Sequence, residues 1–213
     1  MTARMNGSCC ATAMKRWQPI ALVFGAYIGI QTRLPIMSGG LGFLLFFAVA
    51  FGFIFAIEKT KTSAAGVPVL LGFTFFMGLM LSRLIAMVLG FKNGSELVMT
   101  AFGGTAGVFF VMASLATVIK RDLSGMGKFL FVGAIMLLVA GLLTLFSQSS
   151  ALMITLSVIA IGLFSAFMLY DLKRVMDGGE TNYVTATLSI YLSVYNVFSN
   201  LLAILGIVGG DRD

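Results

Sequence analysis

"VTATLSIYLSVYNVFSNLLAILGIV" (residues 184–208) is the stretch whose reading decides the fold. As a helix rising 1.5 Å per residue it would be about 37 Å long, enough to cross a hydrocarbon core of about 30 Å. Yet Ser, Thr, Asn and Tyr recur along it. Ser189, Ser193, Asn196 and Asn200 are spaced i, i+4, i+7 and i+11. At about 100° per residue they share one narrow stripe, which Thr185 extends by a turn. Tyr191, Tyr195 and Ser199 form a second row at i+4 steps. A helix facing lipid would avoid such side chains, whereas one surrounded by other helices can bear them. The spacing therefore predicts a central transmembrane helix. The pattern leaves two roles open for the stripe: it lines a water path, or it holds helices together by hydrogen bonds.

The remainder of the chain supports a membrane setting. Of 213 residues, 59% are hydrophobic and 10% charged, against about 25% charged in soluble domains. Mean hydropathy is +1.04. Six further apolar segments precede the quoted one: residues 20–36, 41–57, 67–91, 97–119, 129–147 and 151–170. They are continuously apolar rather than alternating, so they read as helices, not as strands of a barrel. The expected fold is an all-α integral membrane protein of seven transmembrane helices, forming a single domain over 1–213 with a short cytoplasmic tail, 1–17. Within residues 14–32, Lys15 and Arg16 precede an apolar run as in a signal peptide, but no small-x-small site follows it, so it reads as an uncleaved helix.

The cations fix the expected orientation. Arg4, Lys15, Arg16, Lys59, Lys61, Lys120, Arg121, Lys128, Lys173 and Arg174 fall on one side of the seven segments. Arg33, Lys92 and Arg212 fall on the other, and Arg83 lies within a segment. The positive-inside rule then places the N-terminus in the cytoplasm and the C-terminus outside. Small residues that permit close helix approach recur at Gly25/Gly29 and Gly103/Gly107, and both pairs are expected to serve packing.

Composition narrows the chemistry. The chain has no His, and its two cysteines are adjacent, Cys9 and Cys10. Zinc sites of the usual kind, His general-base chemistry and a disulfide framework are thereby excluded. A Ser–His intramembrane protease is excluded as well. An aspartyl protease needs two carboxylates sharing a site. Asp171 closes the apolar run "IGLFSAFMLY", but the other candidate, Asp211, is expected on the opposite side. "GGTAG" (103–107) is followed by no Lys and lies inside a segment, so it is no phosphate loop. The chain is expected to be no enzyme, to hold no cofactor or metal, and to bind no nucleic acid. Asp171 reads either as an interfacial residue beside Lys173 and Arg174 or as part of a pathway through the membrane.

"LYDLKRV" (169–175), "GGETNYVTATLSIYLSVYNVFSNLLAILG" (178–206) and "GGTAGVFFVMASLATVIKRDLSGMGKFL" (103–130) carry a resemblance. Over roughly 41–208 the chain resembles the transmembrane Bax inhibitor motif family, in particular its bacterial branch of FtsH protease modulators. The resemblance implies a seven-helix bundle with helix 7 at its centre and a place in the bacterial inner membrane. It also implies a partnership with an FtsH-type protease. Residues 1–35 differ from the branch, whose longer polar tail is implied to be the handle for the protease. The family also includes pH-sensitive calcium-leak channels whose sensor is a pair of aspartates latched by a basic residue. Asp171 matches the first aspartate and Ser193 the second position, while Lys59 and Lys61, around Thr60, stand where the latch would be. The leading expectation is a modulator of an FtsH-type protease that affects membrane-protein turnover. The alternative is a pH-sensitive cation or calcium leak gated near Asp171, with transported calcium as its ligand.

Overall fold

A computed structural model describes residues 17–31, 40–63, 65–120, 123, 125–147 and 149–210, with the side chains of 40–44 and 145–147 left aside. Expectations placed on Cys9, Cys10, Arg33, Arg121, Asp211, Arg212 and the tail before residue 17 lie outside these residues. Every regular element described is a helix. In chain order they are α1 (17–31), α2 (Gly40–Thr60), α3 (Gly66–Leu89), α4 (Gly94–Val118), α5 (Met126–Ser147), α6 (Ser150–Met176) and α7 (Tyr183–Val208). Five of them, α3 to α7, are long and apolar enough to cross a membrane. α1 is described over 17–31, so the expected segment 20–36 lies only partly within the described residues.

The boundaries follow local chemistry. α3 stops where the sequence "LGFKNG" (89–94) folds into a tight turn, with Phe91 N–H donating to the Val88 carbonyl at 3.1 Å and Gly94 N–H to the Phe91 carbonyl at 3.0 Å. A side chain at Gly94 would collide with the Val88 carbonyl. α6 runs further than the expected 151–170. Lys173 and Arg174, expected in the following loop, lie in its last turns, and Asp171 lies one turn earlier in the same helix. The reason is that Leu, Lys and Arg favour helices and that cations complement the negative C-terminal dipole. Lys173 Nζ also donates to Asp177 Oδ1 at 2.8 Å, an i,i+4 pair. The helix ends at Gly178, whose φ of 75° suits glycine, with Gly179 N–H donating back to the Arg174 carbonyl at 2.9 Å.

The protein divides into two compact units. Of the described residues, the first takes those up to Ala86 together with Asn182–Thr185; the second takes those from Met87 to Thr181 and from Ala186 to residue 210. In the first, α3 buries Leu70, Phe73, Thr74, Met77, Leu81 and Ser82, one helical stripe. Thr74 and Ser82 satisfy their hydroxyls on the carbonyls of Leu71 (2.9 Å) and Leu79 (2.6 Å). α1 approaches α3 closely. A Cβ at Gly25 would strike the Phe75 carbonyl, one at Gly29 the Ser82 side chain, and one at Gly78 the Leu22 carbonyl. Such small-residue contacts replace the hydrophobic drive that lipid removes. α2 meets α3 through aromatic rings, with Phe53–Phe73 at 5.9 Å and Phe46–Phe76 at 5.8 Å between centroids.

In the second unit α6 packs on both α4 and α5. Gly133 on α5 lies against Leu163, and Gly127 lies under the Tyr170 ring. Gly103 and Gly107 do not serve packing among the described residues. Nothing lies within 4 Å of a Cβ built at either, and Gly104 is the residue that faces Leu201 of α7. The pattern gave the right helix and the wrong face, because Gly103, Gly104 and Gly107 differ by rotation about the axis, which only packing selects.

Large apolar side chains cover the outside. Phe129, Phe131 and Met136 on α5 and Met99, Phe102 and Phe110 on α4 are exposed. In water such a surface would aggregate; against acyl chains it is the natural finish. α7 is different. Every residue from Tyr183 to Ile207 is buried or half-buried, and exposure returns only at Val208.

Candidate functional site

α7 starts at an asparagine. Asn182 Oδ1 accepts from the Val184 N–H at 2.9 Å and from the Thr185 N–H at 3.3 Å, capping the first turn. From there the semipolar stripe runs down the helix. Ser193 is its most buried member, 3% exposed, while Thr185, Ser189, Asn196 and Asn200 are half-buried.

The stripe's donors turn back on their own helix. Asn196 Nδ2 donates to the Leu192 carbonyl, Asn200 Nδ2 to the Asn196 carbonyl and Ser199 Oγ to the Tyr195 carbonyl, each at 2.8 Å. Ser and Thr elsewhere in the membrane-crossing helices do the same, Thr105 to Ala101 at 2.7 Å and Ser165 to Ile161 at 2.6 Å. An i−4 carbonyl is always within reach, so a polar group can enter lipid without a partner on another helix. A carboxamide has two N–H donors and one acceptor oxygen, so one such bond does not exhaust it.

Asp171 on α6 is half-buried, with the Ser189 hydroxyl of α7 near enough to act on its carboxyl. The Ser189 hydroxyl also lies 3.2 Å from the Ala186 carbonyl. It has one hydrogen, so it serves one acceptor at a time. An ionised carboxylate accepts the stronger bond, which favours donation to Asp171 when that group carries charge. Arg174 and Glu180 are the charged groups acting on Asp171 from the end of α6 and the following turn. They also pair with each other at 3.4 Å. The α7 side chain that meets Asp171 is thus Ser189, one turn before Ser193.

Lys59 and Lys61 are engaged within their own segment. Lys59 Nζ sits 4.7 Å from the centroid of the Phe55 ring, a cation–π contact. Lys61 Nζ pairs with Glu58. Asp171, Glu180 and the Ser189 hydroxyl fall short of the six to eight oxygens that calcium takes. Among the described residues no group of three or more His, Cys, Asp or Glu could hold a metal ion.

Sequence reasoning overlooked Asn182 and Glu180 at this end of the molecule. Asn182 carried a legible signal, an Asn just before an apolar periodic run, which marks a helix start. Glu180 carried none, since its pairing with Arg174 depends on the path of the Gly178–Gly179 turn.

The comparisons with known proteins agree in direction. A family model, "Inhibitor of apoptosis-promoting Bax1", matches residues 16–210. An uncharacterized protein of Pseudomonas aeruginosa is 37% identical over 186 residues, 87% of this chain and 82% of the relative. The modulator of FtsH protease YccA of Escherichia coli K12 is 32% identical over 192 residues, 90% of this chain and 87% of the relative. A protein of E. coli O6:H1 described as the inner membrane protein YccA matches to the same extent, 32% over 192 residues. With five helices among the described residues long and apolar enough to cross a membrane, and relatives of this kind, the protein is a multi-pass protein of the bacterial inner membrane. The match over 16–210 is nearly the whole chain, and the chain belongs to the Bax1-I family of Bax inhibitors.

Proposed function

We propose that this is a non-enzymatic inner-membrane protein that engages and modulates a membrane-bound, ATP-dependent protease of the FtsH type. Its effect would be on the turnover of other membrane proteins. The observation that carries this reading is the 32% identity, across 90% of the chain, to a protein named as a modulator of FtsH protease. In this reading the chain is one domain of seven spans, with its N-terminus cytoplasmic, its C-terminus outside and α7 at the centre. That no α7 residue from Tyr183 to Ile207 is exposed supports that arrangement, and so does the count of ten cations against three across the seven segments. The reading is tested by affinity purification of the tagged full chain from native membranes. FtsH should co-purify, and deletion should change the half-lives of membrane substrates. Absence of the complex together with unchanged half-lives would refute it.

A second reading, an ion leak beside Asp171, is favoured by one observation: the carboxyl is half-buried against a hydroxyl of α7 rather than solvated at a helix end. Candidate residues are Asp171 on α6 with Ser189 and Ser193 on α7; Lys59 and Lys61 are candidates through the family resemblance alone. Purified protein in liposomes should then pass cations, and Asp171→Asn should alter the flux. Vesicles as tight as empty ones from pH 5 to 8 would end this reading.

A further inference from the structure

Two asparagines, at opposite ends of α7, use their side-chain amides in the same way. Asn182, at the start of the helix, donates from Nδ2 to the Lys61 carbonyl at 2.9 Å while its Oδ1 caps the first turn. Asn93 stands at the N-cap of α4, and "NGSE" (93–96) has the look of a capping sequence. Yet its side chain makes no cap. Instead Nδ2 donates to the Gly209 carbonyl, just past the end of α7, at 2.6 Å. An Asn at an N-cap ordinarily turns its oxygen to the helix it starts. Here that use is forgone for a contact 116 residues away in sequence.

The surroundings of each contact suit a fastening. The α2–α3 turn is short and internally bonded, Ser63 N–H to the Thr60 carbonyl at 2.8 Å and Gly66 N–H to the Ser63 carbonyl at 3.0 Å. The Lys61 carbonyl lies within this turn, and Asn182 gives it a donor. At the other end the Phe91 ring lies against Gly210, where a Cβ would come within 2.8 Å of it, and Gly206 lies against Val88. The Gly209 carbonyl, although exposed, thus receives its donor next to the contact of Phe91 with Gly210.

We propose that Asn182 and Asn93 are paired ties that hold α7 at both ends, one to the α2–α3 turn and one to the α3–α4 turn. Asn182 has a second consequence. Because one carboxamide both caps α7 and holds the Lys61 carbonyl, fraying of the first turn of α7 releases the turn that carries Lys61 and follows Lys59. Displacement of that turn likewise uncaps α7. The tie is thus a strap by which a partner or ion acting on either element is felt by the other. This inference holds whichever function the chain performs.

Substitutions separate tie from cap. Asn182→Asp keeps the acceptor that caps α7 and loses the donor to Lys61; Asn182→Ala loses both. Asn93→Ala loses only the tie. The measurement is hydrogen–deuterium exchange of the full chain in lipid nanodiscs, with protection in α5 as the check on folding. Asn182→Asp should speed exchange about fivefold to tenfold in residues 61–66 and leave 184–185 protected, the change that losing one net hydrogen bond produces. Asn93→Ala should do the same for 207–210 without touching 94–97. Wild-type exchange in 61–66 for Asn182→Asp, or in 207–210 for Asn93→Ala, would overturn the proposal. Should Asn182→Ala fail to fold, Asn182→Asp still decides the matter at that end.

Discussion

Gly78→Ala is a one-atom test of how α1 meets α3. A Cβ at Gly78 would strike the backbone carbonyl of Leu22 and come within 3.0 Å of the Ala26 nitrogen. Both obstacles are backbone, so no side chain can rotate away. The helices must part by about 1 Å, and a gap of that size forfeits a quarter to a half of each dispersion contact of about 0.1–0.2 kcal/mol. Over roughly forty atom pairs across the contact, the loss is about 1–4 kcal/mol, which brackets the usual cost of overpacking, about 1–3 kcal/mol. Working against it is the gain from replacing Gly in a helix, about 0.4–1 kcal/mol. Gly52 on α2 supplies the control, because nothing lies within 4 Å of a Cβ there. Gly52→Ala should be neutral or stabilising by up to about 1 kcal/mol, and Gly78→Ala destabilising by about 1–2 kcal/mol net. Unfolding of both variants in the same detergent micelles, followed by circular dichroism, reads the difference. Equal stability of the two would refute the close approach of α1 and α3.

Other expectations follow from single features. Gly103→Ala and Gly107→Ala should each shift stability by less than about 0.5 kcal/mol in the same unfolding assay, since their Cβ positions are open. Gly178→Ala should cost about 1–2 kcal/mol, because its φ of 75° is left-handed; increased proteolysis of the α6–α7 turn would report it. Asn196→Ala and Asn200→Ala should each cost less than about 0.6 kcal/mol, the mean for interhelical bonds, because their recorded donors serve their own helix. Met136→Arg, on the exposed face of α5, should raise the cost of membrane insertion by about 2.5–3.5 kcal/mol in a translocation assay. Insertion unchanged from the parent would contradict a lipid-facing α5.

Much of the fold is readable in the chain. Long uninterrupted apolar runs admit one solution in lipid, a helix that satisfies its own backbone, and α3 to α7 lie where those runs lie. The polar spacing of residues 185–200 predicts a helix set among others, because hydroxyls and carboxamides facing acyl chains are costly, and no residue from Tyr183 to Ile207 is exposed. α6 outran its apolar run by a turn and a half, since a helix ends where its backbone bonds can be closed, at Gly178, and not where lipid ends.

The absence of His likewise settled, from composition alone, that no Ser–His or conventional zinc chemistry is present. Which residues meet could not be settled that way. Ser189 is the α7 hydroxyl that acts on Asp171, and Gly104 rather than Gly103 or Gly107 faces α7. In each case neighbouring positions are chemically alike. One step along a helix is a turn of about 100°, so the choice rests on the rotation and depth of two packed helices. The tie from Asn93 to Gly209 is the clearest case. A capping signal was present in the sequence, and packing at the end of α7 redirected the amide to a carbonyl that no local pattern could have named.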